Sequence, residues 1–99
     1  MSNLTNIITT IEQRSAVIEA AYKASGKLIY DRVKDREDSY RILMEDLARE
    51  YRANHKSGNT HVLTMSGIRV SCTSGISGLV HAWLGKARVQ VQREMAGAA

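Results

Sequence analysis

The residue types that most readily suggest chemistry are His61, the single cysteine Cys72, and His81. Imidazole and thiolate are zinc ligands, but a structural zinc site needs four donors and a catalytic one three plus water. The spacing of these three matches no Cys/His ligand pattern. A Cys–His nucleophile pair would also need an orienting group and an oxyanion site, and no candidate for either stands in the chain. His61 and Cys72 therefore read as a cross-strand pair. No metal, no cofactor and no catalytic residues are expected, and the chain does not read as an enzyme.

A second candidate is Thr73-Ser74-Gly75-Ile76-Ser77-Gly78. A strand entering a small, hydroxyl-rich turn that opens a helix is a common way to build a phosphate site, because free N–H groups and the helix dipole favour an anion. The run is neither a P-loop nor the dinucleotide fingerprint. Its first expected role is a capped helix start, with Thr73 or Ser74 as N-cap. Ser25-Gly26-Lys27 is a weaker version of the same signal, since it follows a helix rather than a strand.

Charge supplies the third candidate. Residues 1–50 hold eight Lys/Arg against nine Asp/Glu, whereas residues 51–99 hold six Lys/Arg against Glu94 alone. The formal charge of +4 thus comes from the second half. Arg52, Lys56, Arg69, Lys86, Arg88 and Arg93, together with Thr73 and Ser74, form a candidate contact set for an anionic partner. Aromatic residues are few, so stacking on bases is poorly supported, and no helix-turn-helix pattern is present. Among the tyrosines, Tyr22, Tyr40 and Tyr51 fall on apolar stripes. Tyr30 falls off its stripe and is the one suited to an interface.

The elements that would position these residues follow from periodicity. His61–Met65 and Ile68–Cys72 flank Ser66-Gly67, a hairpin signal. The hairpin is expected over 60–72, with Met65 opposite Ile68, Leu63 opposite Val70, and His61 opposite Cys72 on one face. Val62, Thr64, Arg69 and Ser71 take the other face. Ile76, Leu79, Val80, Trp83, Leu84, Ala87, Val91 and Met95 recur at helical spacing and predict a helix over 74–95, anchored by Trp83. Leu4, Ile8, Ile11, Ser15, Ile18 and Tyr22 predict a helix over 4–25 with Asn3 as cap. Thr9 followed by Glu12 offers a later start. Leu28, Ile29 and Val33, then Tyr40, Leu43, Met44, Leu47 and Tyr51, predict one helix or two over 27–53, with Lys34–Ser39 as either a solvent-facing turn or a loop. Asn54–Asn59 reads as a turn-rich linker.

The fold expected is a single small α+β domain over 1–99, order α-α-β-β-α, with helices packed on a two-stranded antiparallel hairpin. Its edges look open, so a homodimer through a four-stranded sheet is a further expectation. One cysteine suits a reducing compartment, no signal peptide or membrane span is expected, and a cytoplasmic location follows. The general profile, a small chain without a recognisable motif, is similar to that of small proteins carried by phages and other mobile elements. It implies a non-enzymatic inhibitor that binds and blocks a larger host protein or complex. The alternative is a binder of nucleic acid or a nucleotide through the basic half.

Overall fold

Alternation of apolar and polar residues on either side of Ser66-Gly67 sets the centre of the fold. In a computed structural model that describes residues 3–97, β2 (His61–Met65) and β3 (Ile68–Cys72) pair antiparallel in the expected register, His61 opposite Cys72 through Met65 opposite Ile68. The turn residues Ser66 and Gly67 have φ of 55° and 77°. Two consecutive positive φ values are what a two-residue type I′ hairpin loop requires. Leu63, Met65, Ile68 and Val70 are buried on one face.

The sheet has a third strand. β1 (Asn54–Lys56) pairs antiparallel with β2, His55 opposite Leu63, within the stretch expected to be a linker. The expected two-stranded hairpin is corrected to a three-stranded sheet of order β1-β2-β3. Three polar residues carry no periodicity of their own. They become a strand because β2 presents an unpaired row of N–H and C=O groups, which must find partners.

Three helices complete the fold: α1 (Asn3–Ala24), α2 (Ile29–Tyr51) and α3 (Ile76–Gly97), giving the order α-α-β-β-β-α. α3 packs on β2 and β3, and α1 and α2 pack on each other and on α3. α1 runs unbroken through Thr9, whose hydroxyl donates to the Thr5 carbonyl at 3.0 Å rather than opening a new helix. The Asn3 side chain expected to cap α1 lies outside the described part. α2 is continuous, and Arg52 ends it with a left-handed φ of 57° while the Ala53 N–H reaches the Leu47 carbonyl at 3.2 Å. Trp83 is fully buried and donates its indole N–H to the Met65 carbonyl at 3.2 Å, fastening α3 to the hairpin.

The core occupies only part of each long helix. α1 contributes Leu4, Ile7, Ile8 and Ile11, and α2 contributes Tyr40, Leu43, Met44 and Leu47. Residues 16–36 lie between those two stretches, and none of them is buried. They form an αα-hairpin arm, and the molecule measures 50 × 29 × 22 Å. Where the arm meets the core, Tyr40 donates to Glu19 at 2.6 Å, and Arg36 Nε donates to the same carboxylate at 2.8 Å. Since the phenol's one proton goes to Glu19, the Ser15 hydroxyl donates to Tyr40 across their 2.7 Å contact.

The sheet edges are managed. In a two-residue hairpin the Met65–Ile68 pair is hydrogen-bonded, so Arg69 and Ser71 turn their backbone groups to the free side of β3. There Lys86 Nζ donates to the Arg69 carbonyl at 2.9 Å. On the other side β1 is only three residues long. A short strand and an edge lysine are known devices against edge pairing, so the edges are not bare as expected. The four-stranded sheet imagined for two hairpins does not follow either, because each chain already has three strands.

Candidate functional site

The turn before α3 shows why its sequence signal misleads. α3 starts at Ile76, and Gly75 occupies the N-cap position with φ of 99°. Neither Thr73 nor Ser74 caps it. Ser74 instead turns back on Cys72, its hydroxyl and N–H lying 3.1 and 3.3 Å from Sγ. The Ser74 hydroxyl contact, then its N–H, hold the Cys72 thiol below its usual pKa. The free N–H groups of Ile76 and Ser77 donate to the Glu37 carboxylate, at 3.0 and 3.2 Å. An anion does sit on this helix start, as its chemistry favours, but it is supplied by α2. The helix-start N–H groups that the alternative reading offered to a phosphate at Thr73–Gly78 are taken by the chain's own Glu37. A Cβ on Gly75 would come within 2.9 Å of Glu37 Oε2 and displace the carboxylate, and the φ of 99° itself favours glycine.

The histidine–cysteine group is also dispersed. His61 stands opposite Cys72 as expected, but His81 packs edge-on against the Tyr40 ring at 5.7 Å and lies 2.8 Å from the Ser77 carbonyl through Nδ1. His61 has an unanticipated neighbour in His55, with Nε2 of His55 3.3 Å from Nδ1 of His61. The ring centroids are 5.5 Å apart and the planes differ by 16°. The centroid distance exceeds the N···N distance by about two imidazole radii, so the rings lie end to end in one plane, joined by an N–H···N bond. Burial, then the neighbouring His61, hold His55 below the usual histidine pKa. No group of three or more His, Cys, Asp or Glu among the described residues could hold a metal ion.

The basic set divides into parts. Lys56 and Arg69 share the solvent face of the sheet with Asn54, Val62 and Thr64 around a hollow of about 280 Å³. Arg69 also borders a second hollow of about 250 Å³ with Lys86 and Arg93 of α3. No strand carries an acidic residue. Arg88 does not join this face; it pairs with Glu12 of α1. Arg52, Thr73 and Ser74 are exposed, Arg52 at the end of α2 and the other two in the turn before α3.

The surface that sequence reasoning missed is on the arm. Val17, Leu28, Ile29, Tyr30 and Val33 are large apolar side chains between 44% and 79% exposed. Leu28, Ile29 and Val33 carried a core signal, since they continue the α2 stripe. Tyr30 alone was legible as exposed. On α2, Val33 is one turn from both Ile29 and Tyr30, so the three share a face. The arm is closed by Lys27 on Asp35 at 2.7 Å and by Arg36 between Glu19 and the Tyr22 ring, whose centroid is 5.1 Å from its Cζ.

No helix of the described residues is long and apolar enough to cross a membrane. No family model matches the chain, nor does any curated protein or solved structure.

Proposed function

We propose that the protein is a non-enzymatic interaction module that binds and blocks a surface of a larger protein or complex, as a phage-type inhibitor would, and that it makes contact through the α1–α2 arm. The observation that carries this reading is the exposed apolar set Val17, Leu28, Ile29, Tyr30 and Val33 on an arm outside the core. Of these, Ile29, Tyr30 and Val33 share one helix face, and a contiguous exposed apolar patch commonly marks a contact surface. Tyr30 adds a rigid ring with a polar tip, which suits the centre of a contact.

The test is affinity purification with mass spectrometry, using the full chain and two variants. Ile29→Ser/Tyr30→Ser/Val33→Ser strips the arm, and Lys56→Glu/Arg69→Glu reverses the sheet face. A stoichiometric protein captured by the wild type and the sheet variant, and lost with the arm variant, is the expected result. Equal capture by the arm variant would end the proposal, as would the absence of any stoichiometric protein.

The sheet face favours a second reading. Lys56 and Arg69 flank a polar hollow without carboxylates, and Lys86 and Arg93 extend the positive charge along α3. Such a face suits the phosphates of a nucleic acid. Binding of DNA or RNA would then weaken steeply with salt and be lost in Arg69→Glu. Unchanged mobility of both at low salt would exclude it.

A further inference from the structure

Tyr22 has two guanidinium groups against its ring: Cζ of Arg32 is 5.5 Å and Cζ of Arg36 5.1 Å from the centroid. Arg32 and Arg36 are one turn apart on α2, a spacing at which like charges repel. Only one of them has a carboxylate, because Glu19 takes Arg36. Among the described residues Arg32 makes no ion pair, and its Nε–H is the one buried side-chain donor or acceptor without a partner. A buried donor on a charged group is costly to leave unmatched, and such exceptions call for an explanation.

Both arginines line a cavity of about 190 Å³ between the end of α1 and the start of α2. That exceeds the roughly 150 Å³ that admits a benzene ring. Ser25 and Lys27 form the linker wall, and Ser39 stands on α2 beyond Arg36. Asp35 also lines the cavity, but Lys27 holds it at 2.7 Å. With Lys27–Asp35 and Arg36–Glu19 each neutral, the charge of Arg32 is left over. The Ser25 hydroxyl accepts the Lys27 N–H at 3.2 Å, which leaves its own proton free to donate.

We propose that this cavity is an oxyanion site that takes a phosphate monoester group, with Arg32 as its principal ligand. The guanidinium edge offers two parallel N–H donors, the fork that matches phosphate. Ser25 and Ser39 supply donors from the linker and from α2. Donors on separate walls suit a tetrahedral group with three free oxygens better than a planar carboxylate. An oxygen of the bound group would give Arg32 Nε–H the acceptor it lacks. The site does not depend on the arm docking to a protein.

The experiment is a heteronuclear NMR titration of the isotope-labelled full chain at constant ionic strength, with the arginine Nε–H signals resolved. The probes are inorganic phosphate, phenyl phosphate and acetate. Phosphate and phenyl phosphate are expected to shift the Arg32 Nε–H and the Ser25 and Ser39 amides along one saturating curve, with acetate at least about tenfold weaker. Arg32→Gln is expected to weaken both phosphates at least about tenfold, and Arg49→Gln, on the far part of α2, to leave them unchanged. Should Arg32→Gln disturb the amide spectrum, Arg32→Lys keeps the charge and loses only the fork, and the same weakening is expected. Equal affinity for acetate, undiminished binding in Arg32→Lys, or shifts confined to the basic sheet face would each overturn the assignment.

Discussion

Glu37 and Gly75 are 38 positions apart in sequence, yet they form one joint, and its energetics can be worked from the contacts. The Glu37 carboxylate accepts the N–H groups of Ile76 and Ser77, at 3.0 and 3.2 Å. Losing a helix cap costs about 1 kcal/mol, and losing a negative charge from a helix N-terminus adds about 0.5 kcal/mol. Glu37→Ala should therefore destabilise the fold by about 1.5–2 kcal/mol, lowering Tm by roughly 10 °C in a domain of this size. Glu37→Gln keeps one acceptor oxygen and should lose about half as much. Gly75→Ala carries two penalties. One is backbone strain at φ of 99°, about 1–3 kcal/mol. The other is a Cβ placed 2.9 Å from Glu37 Oε2, which pushes the carboxylate off the helix start. In a Glu37→Ala background the second penalty vanishes. Urea unfolding of the four proteins in this double-mutant cycle should thus give a double variant more stable than the sum of the singles by about 1–2 kcal/mol. Additivity within about 0.5 kcal/mol would show that Glu37 is not the cap and that Gly75 answers only to its own φ.

Three further outcomes follow from other contacts. Trp83→Ala should cost about 3–5 kcal/mol, from a fully buried ring and a lost bond to Met65, read as a large drop in the urea midpoint; a drop below 1 kcal/mol would contradict the packing described. His55 has its pKa held below 6.5 in the fold, so the folded state favours neutral imidazole. Its contribution is present above pH 6.5 and is lost as pH falls through the lowered value. The urea midpoint should fall between pH 7 and 5, and less so in His55→Gln; equal falls in both proteins would remove His55 from the account. The Tyr40 phenol is pushed up to about 12, by burial and then by its bond to Glu19. Its neutral form therefore stabilises the fold below pH 10, and that contribution declines from pH 10 towards 12. Absorbance titration should show one late-ionising tyrosine that disappears in Tyr40→Phe.

Where local pattern and tertiary contact agree, the chain could be read directly. The register of β2 and β3 follows from alternation, because a slip of one residue would move Leu63 and Val70 to the solvent face. The length of α1 and the burial of Trp83 follow from a 3.6-residue stripe in the same way. Lys34–Ser39 stays helical without an apolar residue because its polar side chains find partners on other elements, Arg36 on Glu19 and Glu37 on the start of α3.

Other features depend on partners distant in sequence, and there the local signal fails. Thr73 and Ser74 are good N-caps by type, but a carboxylate brought in from α2 outcompetes a hydroxyl for the Ile76 and Ser77 N–H groups. Asn54–Lys56 has no strand pattern and extends only because β2 has an open edge. Arg88 belongs to the basic half by position and to Glu12 by contact. The arm is the clearest case. Periodicity shows which side of a helix is apolar, as at Leu28, Ile29 and Val33, but burial requires a second surface at the right distance. The core ends before it reaches them. The sequence thus determined the elements and their apolar faces, which depend on neighbours within a few residues. The tertiary structure decided which faces are covered, which charges are paired and what occupies the start of α3, because those depend on what the fold brings alongside.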